Sequence, residues 1–525
     1  MKSLIPVLVL SLLLAACAGG GGTPTVEDTV EPDVPEDPTP PVLSDLLLVQ
    51  NPGNALSATL EFGSDDVATI ALRIEGAGQT RTVTFAEAGT EFTLPILGLR
   101  AETGYTLTVT ATNGSGVSST SDPLDYTTGP LPEDVFPPMS TLVSKPAQMQ
   151  PGITVYSTMV LWFPLTFVKG LIVAVDEAGE VIWYHRDPEN PIEAFHRMAD
   201  GTLLYLAGFA GAIRADMMGN VLQQWDPAAE WDLLGFHHDA IELPDGNIVA
   251  IGVEMKDIDY DDPDADGTVT YHVMGDTINE FTPAGELLHT WSTFDLVDPQ
   301  FIKEDFHDSF WDQFIDAEGG TKDWLHMNSM VYDASDDSFI VSLRHVDWLI
   351  KVDRQTGELI WTMGEGGDFE KLEGEWFYHT HSVQLIEPGR IMLFDNGNWR
   401  PGYEWTELWS RALEFTYDEE AMTWTQVWEW TSDVPFFSQM VSDADRLDNG
   451  NVLIADGARV KDQAQDLMNP ANSKWCRLLE VTDAGEVVFE MEQKDLSGAV
   501  LGYTMYRAQR WPSLYPASVA SEESE

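Results

Sequence analysis

The chain is poor in the residues that carry positive charge and sulfur. Among 525 residues there are two cysteines, eleven histidines, and 27 lysines and arginines set against 87 carboxylates. The formal net charge of −60 excludes nucleic acid as a partner, since phosphates would be repelled at every approach. It names no substrate, because a strongly acidic surface is first of all a solvated one. One cysteine, Cys17, closes the N-terminal apolar stretch, so Cys476 alone remains in the body and no intramolecular disulfide can form there. Beyond that stretch no run approaches the roughly 18 apolar residues that a helical membrane span needs.

What is present begins with MKSLIPVLVLSLLLAACAGGGG, a basic Lys2, an apolar run from Leu4 to Leu14 and small residues before Cys17. This predicts an export signal over 1–17. LAAC resembles the bacterial lipoprotein cleavage box, which implies lipidation of Cys17 and a stable membrane anchor. The expected location is the periplasmic face of a membrane or the cell surface, with Ala18 pointing to the outer membrane. Residues 18–41 combine glycine, proline and acidic residues with almost nothing to bury and predict a disordered linker.

Short alternating segments such as ALSATLEF, ATIALRIEG and GYTLTVTATN, separated by turn residues, predict a small β-sandwich over 42–130. It resembles a fibronectin type III domain, with Leu99 and Tyr105 matching that family's tyrosine corner. Such modules more often space or dock a neighbour than carry chemistry.

Residues 131–516 repeat. A strand, a tight turn and a second strand ending in an aromatic recur six times, from LIVAVDEAGEVIWY at Leu171 to LLEVTDAGEVVFEM at Leu478. Ahead of five of these hairpins stands another of the form H-x-x-x-x-L-x-D-G-N-apolar, as in HHDAIELPDGNIVAIG. Four strands per unit cannot bury both faces alone, so the units are expected to stack radially. The predicted fold is all-β: a six-bladed β-propeller preceded by the sandwich and followed by an acidic tail, 517–525. The innermost strand of the first blade is expected from the chain's far end, near YTMYRAQRWPSLY.

Aligning the repeats puts His196, His238, His326, His381 and Ser442 at one equivalent position, the start of the channel-lining strand. His238, His326 and His381 are thereby expected to share one cavity, with Arg344 brought in by SFIVSLRH. Imidazoles and a guanidinium fork, with few obvious channel carboxylates, suit a tetrahedral oxyanion such as a sulfate or phosphate ester. His237 and His379 each stand within two residues of a motif histidine, and alternation puts His379 on the same face as His381.

The segments WLHMNSM, SLRH, HSVQL with MLFDNGN, and YRAQRWPSLY together resemble the bacterial arylsulfate sulfotransferases that work without PAPS, over roughly Pro138 to Pro516. The resemblance implies a ping-pong transfer of a sulfuryl group from an aryl sulfate donor to a phenolic acceptor, with no cofactor required. It implies that His381 is the nucleophile, that His238, His326 and Arg344 act on the sulfuryl group, and that Asn328, with His237 and His379 nearby, helps to bind it. Members from enteric bacteria carry a short-loop disulfide near the active site, and this chain lacks the cysteines for it.

DDPDADGT has the start of a calcium loop, with Asp262, Asp264 and Asp266 as candidate ligands of a structural calcium ion but no glutamate at the twelfth position, and a solvated acidic loop is the default reading. Two rival readings stand beside the transferase. One is a metal-dependent hydrolase using the channel histidines; the other is a surface-anchored propeller that only binds.

Overall fold

The computed structural model describes residues 39–524, except 134–135, 163–165, 263–266, 304–305, 307–309, 433–435, 465–471 and 496–501. The export signal, Cys17 and the linker up to residue 38 lie outside the described residues. So do Asp264, Asp266 and the side chain of Asp262, the candidate calcium ligands.

Two long strands, Ala58–Gly76 and Gln79–Ile96, build the N-terminal domain. Each changes partners midway. Residues 58–63 pair with 91–96 and with Leu43–Gln50, whereas 68–76 pair with Gly104–Asn113 and 70–76 pair with 79–85. Bulges between Gly63 and Ala68 let the sheet fold over on itself, and Leu60, Leu72, Val83 and Val109 meet in the resulting core. The Tyr105 hydroxyl accepts the Arg100 backbone N–H at 2.8 Å, which ties the corner of this sandwich.

The remainder is a six-bladed β-propeller of four-stranded antiparallel units. Blade 2 runs from Phe195–Arg197 to Val221–Trp225, blade 3 from Phe236–Glu242 to Leu287–Ser292, and blade 4 from Met327–Asp333 to Leu359–Met363. Blade 5 runs from His381–Glu387 to Thr423–Trp430 and blade 6 from Asp443–Arg446 to Val487–Gln493. Blade 1 takes its innermost strand, Gly502–Trp511, from the far end of the chain, paired antiparallel to Ile153–Trp162. Met139–Ser144 reciprocates by adding a fifth strand to the outside of blade 6. The ring is thus closed by hydrogen bonds at both ends of the repeat.

The D-G-N turns explain the recurring motif. In ELPDGNIV the Leu243 N–H reaches the Asn247 carbonyl at 2.8 Å, and Gly246 takes a φ of 87° that a side chain would resist. The second strand of blade 4, Ser338–Leu343, is buried along its whole length, because neighbouring blades cover both faces. Charge closes the seams between blades. Glu280, Glu414 and Glu480 occupy corresponding places in third strands, are buried, and receive Arg354, Arg446 and Arg510 respectively from the next blade. Between blades 4 and 5 the sense reverses, with Lys351 buried against Asp333 and Glu419.

The sandwich docks on turns of blades 1 and 2, at the end opposite the strand starts where the histidines lie. Asn54 donates to the Tyr184 carbonyl at 2.7 Å, Arg100 pairs with Asp176, and the Leu97 N–H donates to the Tyr515 hydroxyl at 3.0 Å. The segment read as an acidic tail carries a strand, Val519–Ser524, laid against Thr80–Phe85 of the sandwich.

Candidate active site

At the start of its innermost strand each of blades 3 to 6 makes a tight left-handed kink: φ is 62° at His238, 55° at His326, 54° at His379 and 90° at Ser442. Such backbone costs about 1–3 kcal/mol per residue and persists only where surrounding contacts fix it. At His238 and His326 it accompanies rings that meet each other.

His238 and His326 stand edge to face with ring centroids 4.8 Å apart. His381, only 2% exposed, lies deeper. The Tyr506 ring, carried by the closing strand, is 5.9 Å from His238 and 6.2 Å from His381. Arg344 leaves the second strand of blade 4 in a short turn, its backbone N–H on the His326 carbonyl at 3.3 Å, and Nη2 donates to the Gln439 carbonyl at 3.3 Å. Burial, first of all, pushes the basicity of His238 and His381 well below that of free imidazole, and the neighbouring Arg344 and His326 push it further. Both rings are therefore neutral at neutral pH.

What holds each ring decides what it can do. The Asn396 amide nitrogen donates to the carbonyls of Ser438 and Val441, at 2.6 and 3.1 Å, which leaves its oxygen to accept. His381 Nδ1 lies 2.7 Å from that oxygen and must carry the proton. Its Nε2 then holds the lone pair. His326 instead donates Nδ1–H to the Asp323 carboxylate at 2.6 Å, whose other oxygen accepts from Trp311 Nε1 at 2.9 Å. Burial raises the Asp323 carboxyl above its usual range, partly offset by His345. His238 shares one Nδ1···Nδ1 hydrogen bond, 2.8 Å, with His237, and its backbone N–H donates to Glu193 at 2.5 Å.

The structure brings His238, His326, Arg344 and His381 together and sets His237 and His379 behind them. His237 Nε2 meets the Gly252 carbonyl at 3.1 Å and its ring packs edge-on against Trp311. His379 gives both its backbone N–H and its Nδ1 to Asp347, each at 2.8 Å, so it is buried support for the mouth. Asn328 is fully buried; its amide nitrogen donates to the Thr380 carbonyl at 2.7 Å and its oxygen has no partner among the described residues. His196 and Ser442, at equivalent repeat positions, do not join the cluster. His196 bonds Asp239, itself clamped by Arg507, and Ser442 bonds Ser438 and the Gly457 N–H.

The sequence reading expected few carboxylates here, and the structure differs. Asp276, Asp323 and Asp347 stand directly behind the histidines, because buried imidazole N–H groups need acceptors, and Glu193 accepts the backbone N–H of His238. Asp323 lies three residues before His326, and Asn396 and Tyr506 fall within segments already singled out, so their signals were present. His345, adjacent to Arg344, stacks on His326 with centroids 4.8 Å apart. The metal-ligating set also differs from His238, His326 and His381: ligand atoms of Asp323, His326 and His345 lie within 4.8 Å of one another. A cavity of about 250 Å3 lies elsewhere, between sandwich and blade 1, lined by Arg81, Arg100, Tyr105 and Tyr515 and by none of the histidines.

With this geometry in place, comparison with known proteins finds two similar curated relatives. The arylsulfate sulfotransferase AssT of Escherichia coli O6:H1 (strain CFT073) is 25% identical over 301 residues, 47% of this chain and 48% of the relative. The arylsulfate sulfotransferase AssT of Lelliottia amnigena is 24% identical over 352 residues, 53% of this chain and 55% of the relative. The chain thus spans about half the length of the curated relatives it matches. The arylsulfotransferase (ASST) profile matches residues 142–504, which covers the propeller from the outer strand of blade 6 to the closing strand of blade 1. The chain belongs to the arylsulfotransferase family.

Proposed function

We propose that the chain transfers a sulfuryl group from an aryl sulfate to a phenol in two steps through Nε2 of His381. The observation that carries this reading is the Asn396 contact, which places the His381 proton on Nδ1 and leaves Nε2 unprotonated in a cluster that disfavours imidazolium. A neutral buried imidazole is a competent nucleophile at neutral pH, and no nucleotide cofactor enters the chemistry.

In the first step the Nε2 lone pair attacks sulfur, the N–S bond forms and the S–O bond to the aryl oxygen breaks, with the electron pair leaving on phenolate. In the second, the acceptor oxygen attacks the same sulfur, the N–S bond breaks and His381 is regenerated. Charge gathers on the three non-bridging oxygens in both steps, by analogy with phosphoryl transfer. Arg344 is suited to receive it through its guanidinium N–H groups, joined by Nε2–H of His326 when that ring is protonated, whereas the one N–H of neutral His238 is engaged with His237. His326, seated on Asp323 through Nδ1–H, carries a second proton on Nε2 at the start of the cycle, gives that proton to the departing phenolate and takes one back from the incoming phenol.

Incubation with p-nitrophenyl sulfate and phenol, without PAPS, tests the reading. Release of nitrophenol that depends on phenol, with phenyl sulfate formed in equal amount, is expected. Nitrophenol release that needs added metal would favour the hydrolase, for which Asp323, His326 and His345 offer ligand atoms. The same reading places the enzyme outside the cytoplasm, anchored through lipid on Cys17, with the fibronectin type III-like sandwich as a spacer; labelling with a radioactive fatty acid, lost in Cys17→Ala, checks the anchor.

A further inference from the structure

Three phenylalanines rise beside the histidines from two different blades. Phe209 lies on the loop between the second and third strands of blade 2, and Phe310 and Phe314 lie on the connection from blade 3 to blade 4. The Phe310 ring stands 5.3 Å from His326 at 69°. Phe314 is a further 5.6 Å from Phe310 and 4.4 Å from Phe209. Phe314 is 42% exposed, a large apolar surface for a chain whose outside is dominated by carboxylates. Behind the three rings, Trp311 is buried and donates to Asp323, the carboxylate that seats His326. The wall and the reacting group are therefore held by one element.

Resting on the transfer proposed above, the geometry points to this wall as the aryl subsite, and to Phe314 as the residue that selects substrates with two fused aromatic rings. A sulfate held at His326 and His238 puts the ring it esterifies against Phe310. A second, fused ring extends the plane by about one ring width, toward Phe314 and Phe209, where offset or edge-to-face contacts are favourable. A single-ring substrate ends before it reaches Phe314.

The test compares p-nitrophenyl sulfate with 4-methylumbelliferyl sulfate on the full chain. Phe314→Ala is expected to raise KM for the umbelliferyl ester about tenfold with kcat unchanged, to leave the nitrophenyl ester within about twofold, and to be rescued by Phe314→Tyr. Phe310→Ala raises KM for both. Equal effects of Phe314→Ala on the two esters, or none on either, would overturn the assignment. Calorimetric titration with 1-naphthol and with phenol separates this inference from the transfer itself. If neither ester reacts but Phe314→Ala weakens naphthol binding alone, the wall stands and the transferase reading falls. If naphthol binding is unmoved, the wall falls.

Discussion

The blade seams and the channel mouth use the same scarce cations in opposite ways. At the seams each buried glutamate meets an arginine from the next blade, as Glu280 meets Arg354 and Glu414 meets Arg446, which Arg390 of its own blade joins. Opposite charges satisfy each other, and the contact contributes register between blades. At the mouth Arg344 is gathered with His238, His326 and His381, and the gathering makes protonation of His238 and His381 harder. Two neutral rings, His238 and His381, beside a guanidinium are ready for an anion that the seams would have no room to accept. The lesson is that in a chain of net charge −60 the position of each cation says more than their number.

That contrast is broken most severely by His381→Ala, which should lower sulfuryl transfer on the order of 10^4-fold or more while leaving the thermal midpoint near that of the parent chain. Glu414→Ala should do the reverse. It strands buried Arg446 and is expected to cost about 3–5 kcal/mol in chemical unfolding, with KM unchanged in the protein that remains folded. Arg344→Ala sits between them, expected to cost about 3 kcal/mol in kcat/KM with little change in unfolding. Asn396→Ala removes the acceptor that fixes the His381 tautomer, and a loss of about 1–3 kcal/mol in kcat/KM is expected.

The smallest expected effect is in pH dependence. The folded-state pKa values of His238 and His381 lie well below 6.5, so between those values and 6.5 the unfolded chain binds more protons. Stability then rises with pH across that window and is lost as pH falls below about 6.5. Urea titrations between pH 5 and 8 in parent and His381→Gln check it: the variant should lose part of the slope below about 6.5.

Much of this architecture is written in the repeats. The D-G-N and A-G-E turns and the aromatic strand ends mark the blades because each is a local requirement of a four-stranded unit. The convergence of His238, His326 and His381 follows from that phase alone, since radial stacking brings equivalent positions together. The phase also misleads. His196 and Ser442 occupy equivalent places, yet His196 is drawn to the buried Asp239–Arg507 pair, and nothing in the repeat encodes that pair. The left-handed kinks at His238, His326 and His379 were equally out of reach, because positive φ at histidine leaves no mark in composition. The carboxylates behind the rings escaped for another reason. Asp323, Asp347 and Glu193 look like ordinary surface charge in so acidic a chain, and only burial distinguishes them. The Val519–Ser524 strand adds to the sandwich through backbone bonds that acidic side chains do not advertise.

The most direct test traps the enzyme after the first half-reaction. The full chain, mixed with an aryl sulfate and no acceptor, is quenched at alkaline pH, digested and weighed peptide by peptide. The account predicts one SO3 unit on the peptide carrying His381, discharged on adding phenol. A label that resides on another residue, or transfer that proceeds at the parent rate with no labelled peptide formed, would contradict it.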